Sequence, residues 1–151
     1  MTNEPLEETP SGKKRGKGLP AQCPRCLTRA LALRIVPHNA EVAHDGRLYQ
    51  IHIPSLRVPV CTVCGEKVFT NEVDDQISAA LRAHLRLLSP EKIRSQREHL
   101  GLQQRELAER LGVPETTIAA WESGALVQSK AMDNLLNVYF AFPEVQQALS
   151  A

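Results

Sequence analysis

The sequence predicts an α+β protein: a small β-rich domain followed by an all-α domain. Three observations predict it. Four cysteines form two Cys-x-x-Cys pairs, Cys23-Pro-Arg-Cys26 and Cys61-Thr-Val-Cys64, and the chain between them consists of short branched and aromatic runs separated by turn residues. From Asn71 onward the apolar residues switch to helical spacing, at Val73, Ile77, Leu81, Leu85 and Leu88. The 151 residues, 42% apolar and 23% charged, have an ordinary globular balance with room for one average domain or two small ones.

Taken in order, residues 1–20 hold Pro, Gly, Glu and Lys and almost nothing apolar, so they are expected to form a disordered arm. Its basic cluster, Lys13, Lys14, Arg15 and Lys17, reads as a solvated tail, with contact to DNA phosphates as the alternative. Residues 21–70 are the predicted β-rich domain. The runs ALALRIV (30–36) and RLYQIHI (47–53) read as strands, broken by Pro37, Asn39 and Pro54 and joined through the turn signal Asp45-Gly46. KVFT (67–70) is a candidate third strand. Residues 71–89 form a connecting segment with a helix over about 72–88, Asn71 as its N-cap and Asp74 favouring its first turn. Ser89-Pro90-Glu91 then supplies a cap, a proline at the first helical position and an acid in the first turn, opening a helical domain over 90–151.

Two Cys-x-x-Cys pairs at this separation fit one four-thiolate tetrahedral metal site made by Cys23, Cys26, Cys61 and Cys64. Each short turn converges two sulfurs on one ion while the intervening amides favour their charge, and Gly65 lets the second turn exit with positive φ. Four protein ligands close the site, which marks it as structural: one Zn2+ replaces the hydrophobic core that so short a segment lacks. Iron with the same ligands is the alternative, since thiolates serve both. His38, His44 and His52 lie between the pairs and are read as strand-face or surface residues. A closed site leaves no open coordination position, and no nucleophile–base pair stands out elsewhere, so an enzyme is not expected. The net charge of +1 gives no argument for nucleic acid by itself. No apolar run approaches the roughly 20 residues of a membrane span, and the first residues lack an apolar signal core, so a cytoplasmic location is expected.

In IRSQREHLGLQQRELAERLGVPETTIAAWESG (93–124), Ile93, Leu100 and Leu102 are placed to pack a first helix, Leu107, Ala108 and Leu111 a second, and Ile118 and Trp121 a third, with Gly112 at the turn. This is helix-turn-helix spacing. The stretch resembles the lambda-repressor-like, Xre-type helix-turn-helix family over roughly 91–142. That resemblance implies a phosphate-binding glutamine at Gln104, a partly buried ion pair between Arg97 and Glu122, and groove-facing residues Glu115, Thr116, Thr117, Ala119 and Ala120. Thr and Ala can contact a thymine methyl and Glu115 can accept from a cytosine amine, but no bidentate donor is present. Direct readout is therefore expected to be modest, with specificity resting on half-site spacing and DNA shape; loss of DNA reading is the alternative. Gln103 and Pro114 depart from the family's usual Ser or Thr. Arg94, Gln103 and Gln104 are the expected phosphate contacts, because positive charge gathers at Arg82, Arg86, Lys92, Arg94 and Arg97 while 91–124 is close to neutral. Phe142, Val145 and Leu149 are a candidate self-pairing edge.

A four-cysteine knuckle domain ahead of such a helical domain resembles the MqsA-type antitoxins, whose front half is the YgiT-type zinc finger. Cys23, Cys26, VPVCTVCGE (58–66) and the helix-turn-helix run carry the resemblance over about 120 residues. It implies an antitoxin of a type II toxin–antitoxin pair. Its zinc domain would neutralise a toxin, typically a ribonuclease, and its helix-turn-helix dimer would repress its own operon by binding operator DNA. The family reads bases with an Asn and an Arg whose positions are Thr116 and Ala120 here, so the operator sequence does not carry over. The alternative is a zinc-containing transcription regulator with no toxin.

Overall fold

An antiparallel hairpin leads the described chain, β1 (Leu31–His44) and β2 (Arg47–Cys61), followed by six helices: α1 (Asn71–Leu85), α2 (Pro90–His99), α3 (Gln104–Leu111), α4 (Glu115–Ser123), α5 (Lys130–Ala141) and α6 (Pro143–Ala148). The structure is a computed structural model and describes residues 19–150, so nearly all of the expected arm (1–20) lies outside the described residues. The architecture is α+β, a small two-stranded sheet followed by a helical bundle.

Both strands are longer than the sequence runs, because Pro37 and Pro54 do not end them. The register runs from His44↔Arg47 to His38↔Ile53, then resumes at Val36↔Leu56 and ends at Leu31↔Cys61. Pro37 therefore faces two residues, Pro54 and Ser55, across an irregularity in the ladder. Proline has no N–H to give, and such a bulge is where a ladder tolerates it. The extra residue also preserves the pattern. Ile51 and Ile53 point to the core; strict alternation would bring Ser55 inward, but the shift delivers Leu56 and Val58 instead. Asp45 and Gly46 turn the hairpin with φ of +50° and +71°, as a two-residue loop requires. KVFT is not a third strand: Lys67 makes a single bridge to Val60, and the chain then enters α1.

α1 begins at Asn71 itself, with Thr70 as the N-cap, not Asn71. It stops at Leu85, short of the expected 88, because Arg86 turns the chain into the left-handed region at φ +55°. Leu88 thereby leaves the helical stripe and packs on the second core. α1 shares a core with the hairpin: Val73 and Leu81 pack with Ile51, Ile53, Leu56 and Val58. Gln76 fastens the two, its amide accepting from Arg57 N–H and donating to Arg57 C=O at 2.9 Å each. The second core holds Ile93, Leu107, Ala108, Ile118, Trp121, Leu136 and Tyr139. Ser89 caps α2 by accepting from the Lys92 amide at 3.1 Å, with Pro90 in the first turn. Gly112, at φ +70°, ends α3 and turns the chain toward α4.

Candidate functional site

The two cysteine turns are copies of one another. Cys23 N–H donates to Thr28 C=O and Leu27 N–H to Cys23 C=O; Cys61 N–H donates to Glu66 C=O and Gly65 N–H to Cys61 C=O, all at 2.9 Å. In each, the residue four after the first cysteine takes positive φ, +59° at Leu27 and +77° at Gly65. The first turn enters β1 and the second leaves β2, so hairpin pairing between Leu31 and Cys61 brings the turns face to face.

The four sulfurs converge. Cys23 and Cys64 Sγ are 3.6 Å apart, Cys26 and Cys61 Sγ 3.5 Å, and all four ligand atoms lie within 4.8 Å of one another. Tetrahedral thiolate ligands about 2.3 Å from a zinc ion sit roughly 3.8 Å apart. The cysteines are free thiols, and the cluster can hold one metal ion such as zinc. Cys23 and Cys61 are buried and Cys26 and Cys64 half-buried. The Cys64 amide, more than any other group, lowers the Cys61 thiol to about 6. The Thr28 hydroxyl, 3.0 Å from Cys26 Sγ, lowers Cys26. The Glu66 amide favours the Cys64 thiolate, but burial and three adjacent sulfurs outweigh it and push Cys64 up to about 12. Sulfurs this close resist ionising together, and a cation among them removes that conflict. Thr28 was not foreseen from the sequence, since a threonine two places after a cysteine carries no signal. His38 stacks near Phe69, His44 reaches Gln128 C=O and His52 bonds Asn39; the cluster is made of cysteines alone.

In the helical bundle, α3 and α4 pack on α2 through Leu107, Ala108, Ile118 and Trp121 around Ile93. Arg97 and Glu122 make the ion pair the resemblance implies. Arg97 Nε and Nη2 donate to the two Glu122 oxygens at 2.6 and 3.0 Å, and Nη1 to Leu102 C=O at 2.7 Å. The Glu122 side chain is fully buried. Burial alone would raise its carboxyl; the bonds from Arg97 and Gln104 and the charges of Arg97 and Arg94 overcome this and hold it below the ordinary value. The Glu122 hydrogen bond raises Arg97 in turn.

Gln104 donates from Nε2 to Glu122 Oε2 at 2.8 Å, and Arg94 Nε stands 3.6 Å from the same oxygen while remaining half exposed. Two of the expected phosphate contacts thus gather at one buried carboxylate. Gln103 is exposed at the N-cap of α3, where Glu106 accepts from its backbone N–H at 2.6 Å. On α4, Glu115 and Thr116 are exposed and Thr117, Ala119 and Ala120 half-buried. Pro114 occupies the N-cap of α4 rather than its first helical position, and no side chain caps that end.

No described helix is long and apolar enough to cross a membrane. No curated protein matches the chain. Residues 93–139 match the helix-turn-helix family. They form a helix-turn-helix domain of the Xre type, the kind that points to a DNA-binding transcription regulator, behind a β-rich front that carries the four-cysteine cluster.

Proposed function

We propose that this protein is the antitoxin of a toxin–antitoxin pair and a repressor of its own operon. One observation carries the reading: four converging sulfurs at the end of a β-hairpin are joined in one chain to an Xre-type helix-turn-helix domain. The ion held by Cys23, Cys26, Cys61 and Cys64 is zinc, and its part is to fasten the two turns, since four sulfur ligands leave no coordination position for a substrate. The protein is not an enzyme. The front hairpin neutralises the toxin, a ribonuclease. Exposed Leu33, Ile35 and Leu48 on the hairpin offer apolar contact surface.

The bundle binds double-stranded operator DNA as a homodimer, placing one α4 in each of two successive major grooves. Arg94, Gln103 and Gln104 lie at the phosphates, and Glu115, Thr116, Thr117, Ala119 and Ala120 at the base edges. Roughly half to two thirds of the hydrogen bonds in such interfaces go to phosphates and sugars, which suits a reading helix made of threonine and alanine. The test is co-expression of the chain with the reading frame beside its gene, followed by binding of the purified material to the palindrome upstream. A stable stoichiometric complex that blocks RNA cleavage, together with operator binding, is expected. Operator binding without any partner leaves a zinc-containing regulator and refutes the antitoxin role. No duplex binding at low salt refutes both.

A further inference from the structure

The loop after α4, residues 124–129, is gripped from outside the matched helix-turn-helix stretch. Arg82 on α1 is buried, and its Nη2 donates to Gly124 and Leu126 C=O at 3.4 Å each. Gly124 and Leu126 also close the C-terminal end of α4, their N–H groups donating to Trp121 and Ala120 C=O at 3.3 and 3.1 Å, and the last turn of α4 holds no basic residue. Arg82 therefore brings a cation to the negative end of the reading helix. The hairpin tip grips the same loop from the other side. His44 Nε2 meets Gln128 C=O at 3.1 Å, and Asp45 Oδ2 accepts from the Lys130 amide at 3.0 Å, at the start of α5. Between the two grips, Val127 packs into the core of the hairpin and α1. Gln128, itself buried, donates to Leu88 C=O at 2.8 Å, and Leu88 N–H donates to buried Asp133 at 2.8 Å, so the short link between α1 and α2 joins the same knot.

We propose that Arg82, His44 and Asp45 are positioning residues for DNA reading, and that they latch the hairpin to the back of α4 as a fixed lever. The inference rests on α4 being the reading helix. The strands have 14 and 15 residues, so at about 3.3 Å per residue the cysteine end stands roughly 45 Å from the latched tip. The latch sets the direction in which that end projects from bound DNA. A partner held there keeps one orientation to the operator instead of swinging on a linker.

The test uses the full-length, metal-loaded chain and two variants, Arg82→Met and Asp45→Gly. Glycine keeps the positive φ of the turn while removing the carboxylate, so this variant folds even if the loss of Arg82 is disruptive. Amide hydrogen exchange is followed in 120–130 and, as an internal control, in α2 and α3. Each variant is expected to speed exchange in 120–130 roughly tenfold or more, as loss of a charge-assisted bond does, with α2, α3 and metal content unchanged. Each also weakens binding to the upstream palindrome several-fold. Unchanged exchange in both variants overturns the latch. Faster exchange with unaltered operator affinity overturns the positioning role. If the parent chain binds no duplex at all, the DNA-reading proposal fails by itself, and the exchange data still decide whether the latch exists.

Discussion

Glu122 is the residue on which the helical half turns. It is a buried carboxylate whose neighbours, Arg97, Gln104 and Arg94, come from α2 and α3 while it belongs to α4. Removing one member of a buried ion pair strands the other, so Glu122→Gln is predicted to cost about 3 kcal/mol in urea unfolding; a loss below about 1 kcal/mol contradicts the pair's role. The same residue fixes a pH dependence. Its folded carboxyl lies below the 4.5 of a free glutamate, so its contribution is full above that value and is lost as pH falls through the lower folded one. The stability gap between parent and Glu122→Gln is accordingly predicted to close as pH drops from 7 to 3. Leu27 makes the opposite case. It is exposed and holds φ +59° where the second cysteine turn has Gly65. Leu27→Gly is predicted to stabilise the metal-loaded front by about 0.5 kcal/mol, because the left-handed conformation costs a leucine about 1 kcal/mol or more; a lower thermal midpoint contradicts the equivalence of the two turns.

Among the elements, the hairpin shows what a sequence pattern conveys and what it conceals. The Asp45-Gly46 turn was legible because two residues of that kind between branched runs have one common use. The strand limits were not. A proline ordinarily ends a strand, and only the register shows that Pro37 and Pro54 face one another across a bulge. The bulge puts Leu56, not Ser55, on the core face with Ile53. Leu56→Asp is therefore predicted to abolish the sheet signal in circular dichroism while the bundle around Ile93 and Leu107 persists, and Ser55→Asp, at the position strict alternation would bury, to be tolerated. Retention of the hairpin signal in Leu56→Asp contradicts the register. The end of α1 was hidden for a related reason. Leu88 continues the helical spacing of Val73, Ile77, Leu81 and Leu85, but a periodic stripe does not say which of two cores will take its last member. The bundle was the most legible part, since Ile93, Leu107, Ala108, Ile118 and Trp121 all meet in one core as their spacing predicted.

On the scale of the whole molecule, the sequence revealed both units but not how they meet. The four cysteines announced their own convergence by spacing. Arg82, Gln128 and Asp133 carry no motif, and their buried positions follow only from the docking of the hairpin and α1 on the bundle. At this scale charge also decides function. Residues 91–124 are nearly neutral, so phosphate attraction has to come from particular side chains. Arg94→Glu is predicted to reduce the salt dependence of operator binding, the slope of log K against log salt falling by about one or more; an unchanged slope removes Arg94 from the interface. In the proposed reading, one ion gripped by four sulfurs builds the front unit that the helix-turn-helix bundle carries. X-ray absorption on the purified chain, with metal content measured on the same sample, tests it most directly. One zinc per chain is expected, with a shell of four sulfurs at about 2.3 Å. A chain that folds its hairpin without metal, or a metal bound through nitrogen or oxygen ligands, contradicts it.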